Sequence, residues 1–161
     1  MTLENKSKLT FARLSDVPRD EILSHMSEPR VAEHMPLLTT LWDQQAVSEF
    51  VSAKEACWER EGLGHWAFLI DGCYVGWGGF QKEGDEWDFG LVLRPEKFGF
   101  GPYIVKELLE FAKADVRIPF VTFLLPPSRK NLRGLQRLGA SFVETVEYEG
   151  HEFLKYKLDT V

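Results

Sequence analysis

Residues 86–103 read EWDFGLVLRPEKFGFGPY and join a strand pattern to a glycine-containing loop and the start of a helix. From Glu86 to Leu93, large apolar side chains alternate with charged or small ones. This alternation predicts a strand with one apolar face and one face that carries Glu86 and Asp88. Residues 103–115 place apolar side chains at helical spacing, which predicts an amphipathic helix. The strand and helix around this loop therefore organise the predicted fold.

The loop between this strand and this helix carries Gly99 and Gly101. Glycines let a ligand approach the backbone closely, and unpaired N–H groups at a helix start favour an anion, so a diphosphate would fit here. The segment is not a Walker loop, and it lacks the complete GxGxxG pattern of dinucleotide-binding folds. A strand-to-helix turn that uses glycine only for its geometry is an alternative that these residues alone leave open.

Further strand and helix patterns extend in both directions from this segment. Upstream they are a strand at 9–14, a helix start at Ser15-Asp16 with Pro18, a helix at 42–60, and strands at 66–70 and 73–80 that turn at Asp71-Gly72. Downstream they are a strand at 120–125, a helix at 130–138 that ends at Gly139, and a hairpin of strands 142–148 and 151–158 that turns at Glu149-Gly150. The order β-α-α-β-β-β-α-β-α-β-β predicts an α+β or mixed α/β fold around one sheet.

The overall composition sets broad limits on the function. The chain has 161 residues, 44% of them hydrophobic, and a net charge of −6. This length fits a single domain over residues 1–161, and the negative charge argues against a nucleic-acid partner. No apolar run approaches the ~20 residues of a membrane helix, and residues 1–8 lack the apolar stretch of a secretory signal, so we expect a cytoplasmic protein without a membrane partner. Cys57 and Cys73 have no metal-ligand spacing, so no metal is predicted.

The stretch from Leu91 to Tyr103 resembles motif A of the GNAT superfamily of acetyl-CoA-dependent N-acetyltransferases, Q/R-x-x-G-x-G/A, with Glu96 at its first position and Gly99 and Gly101 at its glycines. Residues 88–95 resemble the strand that precedes this motif in the family, and residues 135–140 resemble its later l-e-k-l-G-F pattern. Residues 27–35 and 70–76 are similar to the branch that acetylates N-terminal amines of ribosomal proteins. The resemblance implies a single central, mostly antiparallel sheet of about seven strands, splayed at the cofactor site and flanked by about four helices.

The resemblance also implies a place for acetyl-CoA. Backbone amides of the loop would bind the diphosphate with Lys97 as a charge partner, and the strand backbone would bind the pantetheine arm. Pro102 has no N–H, which removes one donor from this set. The candidate cofactor-binding residues are Leu91, Leu93, Lys97, Phe98, Gly99, Phe100, Gly101, Tyr103, Ser128 and Asn131.

The reaction that the resemblance implies is direct attack of a neutral amine on the thioester within a ternary complex. Asp88 stands at the acidic position of the family pattern and Glu86 lies on the same strand face, so either carboxylate is a candidate general base. Acids that only solvate an exposed strand face are the alternative. Glu33, His34 and Trp77 are candidate contacts of the amine, although Glu33 and His34 would equally cap a helix and Trp77 would equally fill the core.

Two departures from the family pattern affect catalysis. Leu135 stands where the family has a tyrosine that protonates the leaving thiolate, and Ser128 stands where it has an asparagine.

The resemblance as a whole predicts transfer of the acetyl group from acetyl-CoA to a primary amine, carried by a small molecule or by a peptide or protein N-terminus. A catalytically weak or inactive acyl-CoA binding or sensor domain is the alternative. A homodimer is compatible with the family, and the charge of −6 weakly favours a cationic acceptor.

Overall fold

A computed structural model describes residues 7–32, 41–127 and 132–160. The strands are β1 Leu9–Ala12, β2 His65–Ile70, β3 Cys73–Glu83, β4 Glu86–Leu93, β5 Phe120–Leu125, β6 Ser141–Tyr148 and β7 His151–Asp159. The helices are α1 Arg19–Met26, α2 Pro29–Ala32, α3 Gln44–Glu61, α4 Gly101–Ala114 and α5 Arg133–Leu138, with 3₁₀ turns at Leu14–Asp16 and Pro95–Phe100. The predicted fold class is confirmed, with five α-helices in the described ranges where about four were expected.

The seven strands form one sheet in the order β1-β2-β3-β4-β5-β7-β6. Neighbouring strands are antiparallel except β4 and β5, which are parallel. The β4–β5 ladder has only two residue pairs, Trp87–Val121 and Asp88–Thr122, although the strands have eight and six residues. The two strands therefore separate beyond Asp88, as the predicted splay requires.

Side chains of β4 divide between two hydrophobic clusters, one on each face of the sheet. Trp87 and Leu93 pack with residues of α4 such as Ile104 in one cluster, whereas Val92 packs against the cluster that contains Trp77 and residues of α1 and α3. The predicted alternation along β4 is confirmed, because its odd-numbered and even-numbered residues face opposite clusters. The face that carries Asp88 is thus the face covered by α1 and α3.

The two predicted hairpin turns are confirmed by their backbone angles. Asp71 and Gly72 have φ values of 51° and 83°, and Glu149 and Gly150 have values of 50° and 81°. Two consecutive residues with positive φ are typical of the turn that matches the twist of antiparallel strands. Gly139, with φ of 93°, ends α5 in the predicted left-handed conformation.

The start of α1 differs from the prediction. Ser15 and Asp16 lie in a 3₁₀ turn, and α1 begins only at Arg19, with Pro18 before it and no side-chain cap. The reason is that a residue before proline is held in an extended conformation, and Val17 has ψ of 136°. Of the predicted helix at 130–138, residues 130 and 131 lie outside the described ranges. No described helix is long and apolar enough to cross a membrane.

Strands β3 and β4 approach so closely that Gly78 has no room for a side chain. A Cβ atom on Gly78 would lie 2.3 Å from the carbonyl oxygen of Gly90, which is a backbone atom that cannot rotate away. We expect Gly78→Ala to lower the free energy of unfolding by about 3 kcal/mol or more, measured by chemical denaturation. Gly134→Ala is the control, since nothing lies within 4 Å of its Cβ, and it should change stability by less than about 1 kcal/mol. Equal denaturation midpoints for the two variants would contradict this account.

Candidate functional site

The part of β4 beyond its last pair with β5 forms one wall of the candidate site. The carbonyl oxygens of Gly90 and Val92 face β3, because they are the atoms nearest to a Cβ placed on Gly78 or Gly76. Backbone groups alternate in direction along a strand, so the N–H and C=O groups of Leu91 and Leu93 face the opposite edge. That edge has no β5 partner in the described strands, and it can pair with an extended amide-containing ligand.

The glycines of the loop are not required by packing within the protein. A Cβ on Gly99 would meet no atom within 4 Å, and one on Gly101 would meet only Leu93 Cδ1 at 3.9 Å. Neither residue has a positive φ. Their lack of a side chain therefore leaves this part of the backbone accessible to a ligand. The N-terminal end of α4, which carries a partial positive charge, follows at Gly101.

The loop is more tightly folded than the sequence suggested. The 3₁₀ turn begins at Pro95, whose fixed φ suits the first position of a turn. The N–H of Gly101 donates to the carbonyl of Phe98, and the N–H of Lys97 donates to that of Arg94 at 2.8 Å. The amide of Gly101, expected to face a diphosphate, is therefore engaged within the turn. Lys97 is half-buried.

Asp88 occupies the last β4–β5 pair, at the point where the strands separate. Thr122 Oγ1 donates a hydrogen bond to Asp88 Oδ1 at 3.2 Å. Burial raises the pKa of Asp88 to about 7, with the Glu83 carboxylate acting in the same direction, while the bond from Thr122 favours the ionised form. A carboxyl group with this pKa is half ionised at neutral pH and is suited to accept a proton.

Glu86, the other candidate base, has a different environment. Lys155 of β7 donates from Nζ to Glu86 Oε1 at 2.5 Å, which makes an ion pair. The carboxylate of Glu86 therefore has a cationic partner at ion-pair distance, whereas the described side-chain hydrogen bond to Asp88 comes from the hydroxyl of Thr122. The two acids, equivalent by their spacing along the strand, are thus distinguished by what the fold places beside them.

The face of the sheet beside Asp88 carries two basic residues that the sequence did not single out. Lys54 of α3 donates from Nζ to Gln81 Oε1 at 2.9 Å, and its Nζ lies 4.9 Å from the ring centroid of Trp77. Burial lowers the pKa of Lys54 to about 8. His65 of β2 is buried, 7% exposed, and its imidazole lies against Trp77 and beside Gly90. The one sequence signal for Lys54 is its position four residues after Phe50 on the same helix face.

The other predicted residues have diverse positions. Trp77 is 5% exposed and donates from its indole N–H to Met26 Sδ at 3.2 Å, so it packs in the core on the α1 and α3 side. Tyr103 donates from its hydroxyl to the carbonyl of Ser7 at 3.4 Å. Leu135 is buried in the cluster on the α4 side. Phe98 is half exposed and Phe100 packs against that same cluster. The predicted residues that lie outside the described ranges are Glu33, His34, Ser128 and Asn131.

Comparisons with known proteins agree with this geometry. Residues 8–141 match the family model described as "Acetyltransferase (GNAT) domain". No curated protein sequence matches this chain. The fold is similar to a putative GNAT-family acetyltransferase from Bordetella pertussis, with 18% identity, a TM-score of 0.71, and coverage of 93% of this chain and 95% of that one.

Two further solved structures share the fold. An N-acetyltransferase from Staphylococcus aureus Mu50 is 15% identical, with a TM-score of 0.71 and coverage of 96% of this chain and 99% of that one. AAC(6')-Ib, solved in complex with ribostamycin and coenzyme A, is 14% identical, with a TM-score of 0.72 and coverage of 95% and 93%. At these identities the likeness concerns the fold, while the family model concerns the sequence.

Proposed function

The chain belongs to the GNAT acetyltransferase family, and on that premise we propose that it transfers the acetyl group of acetyl-CoA to a primary amine by direct attack in a ternary complex. The observation that carries the proposal is the position of Asp88. Its carboxyl group, with a pKa of about 7, lies where β4 and β5 separate, next to a strand edge that can bind an amide-containing arm. Asp88, as the proton acceptor, would thus lie beside the thioester end of an extended acetyl-CoA.

The residues of the site fit acetyl-CoA. The backbone groups of Leu91 and Leu93 offer hydrogen bonds to the amide-rich pantetheine arm. Gly99 leaves the loop backbone open to the diphosphate, next to the positive end of α4 and the ammonium of Lys97. Gly101, whose N–H is engaged within the turn, would contact the cosubstrate only through its lack of a side chain. When bound, acetyl-CoA supplies a thioester carbon that a neutral amine can attack. The remaining proposed contacts of acetyl-CoA are Phe98, Phe100, Tyr103, Ser128 and Asn131.

In the proposed reaction Asp88 accepts a proton from the acceptor ammonium, directly or through water. The neutral nitrogen forms a C–N bond with the thioester carbon and the C–S bond breaks. The nitrogen then loses its second proton, which passes through water to the leaving thiolate. A backbone N–H of Leu91 or Leu93 is placed to donate to the carbonyl oxygen as negative charge develops on it. Asp88 returns its proton to solvent after the product leaves.

The acceptor in this proposal is a small amine or the N-terminal amine of a peptide or protein. The second option follows from the likeness of residues 27–35 and 70–76 to the branch that acetylates ribosomal proteins. Glu33, His34 and Trp77 remain the proposed contacts of the amine. The same proposal includes a single domain over residues 1–161, a cytoplasmic location and a homodimer.

A catalytically weak or inactive acyl-CoA binding domain is the second candidate, and Leu135 favours it. This residue stands at the family tyrosine position and is buried in the core, so it cannot protonate a thiolate. A thiol-release assay with acetyl-CoA decides between the two functions. Peptides, amino acids, polyamines and aminoglycosides are the acceptors to compare. Release of CoA with any amine supports the transferase, whereas acetyl-CoA binding by calorimetry without release supports the binding domain.

Thr122→Val is expected to shift the pH dependence of transfer. The variant loses the hydrogen bond that stabilises ionised Asp88, so the pKa of Asp88 should rise from about 7. A hydrogen bond to a charged group contributes ~1.5 kcal/mol, which corresponds to about one pH unit. The rising limb of kcat/KM against pH should therefore move upward by about one unit. An unchanged limb would show that Asp88 does not set it.

A further inference from the structure

On the sheet face that carries Asp88, several buried polar atoms have no hydrogen-bond partner among the residues that the structure describes. Neither ring nitrogen of His65 has a hydrogen-bond partner, nor does the indole N–H of Trp42, among the groups that the structure describes. The Trp42, Phe50, Trp77 and His65 rings form a continuous row with centroids 5.1–5.4 Å apart. Buried polar atoms normally have partners, so this row is a place where a ligand would supply them.

The ammonium of Lys54 lies over the middle of this row. Its Nζ is 4.9 Å from the centroid of Trp77 and 5.6 Å from that of Phe50, and one of its protons is used by Gln81. None of the ion pairs within the described ranges includes Lys54. The carboxylates of Glu83 and Asp88 act on Lys54 from beyond ion-pair distance. An anion in direct contact would therefore remove more of the cost of burying this half-buried ammonium.

His65 adds a second donor next to this ammonium. Both groups lie against the ring of Trp77. Burial lowers the pKa of His65 well below its ordinary value, with the positive charge of Lys54 acting in the same direction, so the imidazole is neutral. A neutral imidazole has one N–H donor, and the indole of Trp42 and the ammonium of Lys54 only donate. The unpartnered groups are therefore mainly donors, and the ligand that fits them presents acceptor oxygens.

We propose that Lys54 and His65 bind a carboxylate of the acceptor, so that the acceptor is an aminocarboxylate such as a free amino acid. The inference rests on the proposed transfer to an amine and specifies its substrate class. Gln81, which holds Lys54, pairs directly across the strands with Asp88, and such paired residues have Cα atoms about 5 Å apart. An acceptor with its amine at Asp88 therefore has its carboxylate within reach of Lys54 when a few bonds separate the two groups.

This assignment changes the expected charge of the acceptor. The net charge of −6 suggested a cationic amine, but Glu86 is paired with Lys155, and Lys54 places a positive charge on the sheet face beside Asp88. This face thus carries both an acid and a base, which complements a zwitterion better than a polycation. Transfer itself proceeds as described above, since the carboxylate takes no part in bond making or breaking.

The test compares acceptors that differ only in the acidic group. Glycine, β-alanine and phenylalanine are each paired with the corresponding carboxamide, and kcat and KM are measured with saturating acetyl-CoA. We expect kcat/KM to be about tenfold or more higher for each acid, through KM. Lys54→Met should abolish this ratio by raising KM for the acids alone, and Lys54→Arg should restore most of it. Lys113→Met, at an exposed position of α4, is the matched control and should keep the wild-type ratio.

A binding measurement separates this inference from the proposed function. The CoA-saturated protein is titrated calorimetrically with N-acetylphenylalanine and with its carboxamide, which requires no turnover. Binding of the acid that depends on Lys54 supports the carboxylate site, even if no amine is acetylated and the transferase proposal fails. Three results would overturn the inference. The first is equal kcat/KM and equal affinity for acid and amide, and the second is an unchanged acid-to-amide ratio in Lys54→Met. The third is a protein that neither binds the acid nor transfers the acetyl group.

Discussion

Asp88→Asn is expected to lower kcat/KM for acetyl transfer by about 10²–10⁴-fold, the usual contribution of a general base. The substituted carboxamide cannot accept a proton, although it retains the size of the carboxylate. Because the pKa of Asp88 is about 7, the wild-type kcat/KM should show an inflection as the pH increases through 7. This inflection should be absent in the variant, whose rate should follow only the deprotonation of the amine. Steady-state rates from pH 6 to 9 measure both effects.

The same variant should be more stable than the wild type above pH 7. The carboxyl group of Asp88 binds its proton more tightly in the folded protein than in the unfolded chain, so the folded state loses stability as pH rises from about 4 to about 7. Asparagine avoids this loss. Denaturation at pH 8 should therefore show a higher midpoint for Asp88→Asn, and an unchanged or lower midpoint would contradict the raised pKa.

Glu86→Gln is the matched control for the catalytic effect. Glu86 is paired with Lys155 and lies two residues from Asp88 on the same face, so its loss should change kcat/KM by less than about threefold. A full rate for Asp88→Asn across this pH range, or a larger loss for Glu86→Gln than for Asp88→Asn, would refute the assignment of the base.

Gly99→Leu is expected to raise KM for acetyl-CoA by about tenfold or more while leaving the melting temperature nearly unchanged. The side chain would enter space that no protein atom occupies within 4 Å of its Cβ, so folding is unaffected while the approach of a diphosphate is blocked. Calorimetric titration with acetyl-CoA and thermal denaturation measure the two effects. Glu110→Leu, at an exposed position of α4, is the control and should bind normally. Normal acetyl-CoA affinity in Gly99→Leu would place the diphosphate elsewhere.

Local patterns were sufficient to predict much of the fold. The bounds of β4 and β5 agree with the alternation and apolar runs in the sequence, and both hairpin turns follow from residues that adopt positive φ. The predicted start of α1 is wrong because Ser15-Asp16 matches a helix cap, while the conformational constraint of Pro18 on the residue before it determines where the helix begins. Interactions between residues close in sequence can thus be predicted, provided that the strongest local constraint is given priority over weaker ones.

Contacts between distant residues could not be predicted in this way. The partner of Glu86 is Lys155, 69 residues later, and the partner of Gln81 is Lys54, 27 residues earlier. These pairings depend on the strand order and on how α3 crosses the sheet, which no local spacing encodes. As a result the sequence predicts both Asp88 and Glu86 as candidate general bases, and only their different partners in the folded protein distinguish them.

The central claim is that this site couples acetyl-CoA to an amine through Asp88. Its most direct test is to incubate the protein with acetyl-CoA and the panel of amines, and to quantify free CoA thiol and N-acetylated product in the same samples. We predict equal amounts of the two for at least one amine, formed much more slowly by Asp88→Asn. Acetyl-CoA that binds but yields neither product with any amine, or product formed at the wild-type rate by Asp88→Asn, would contradict the account.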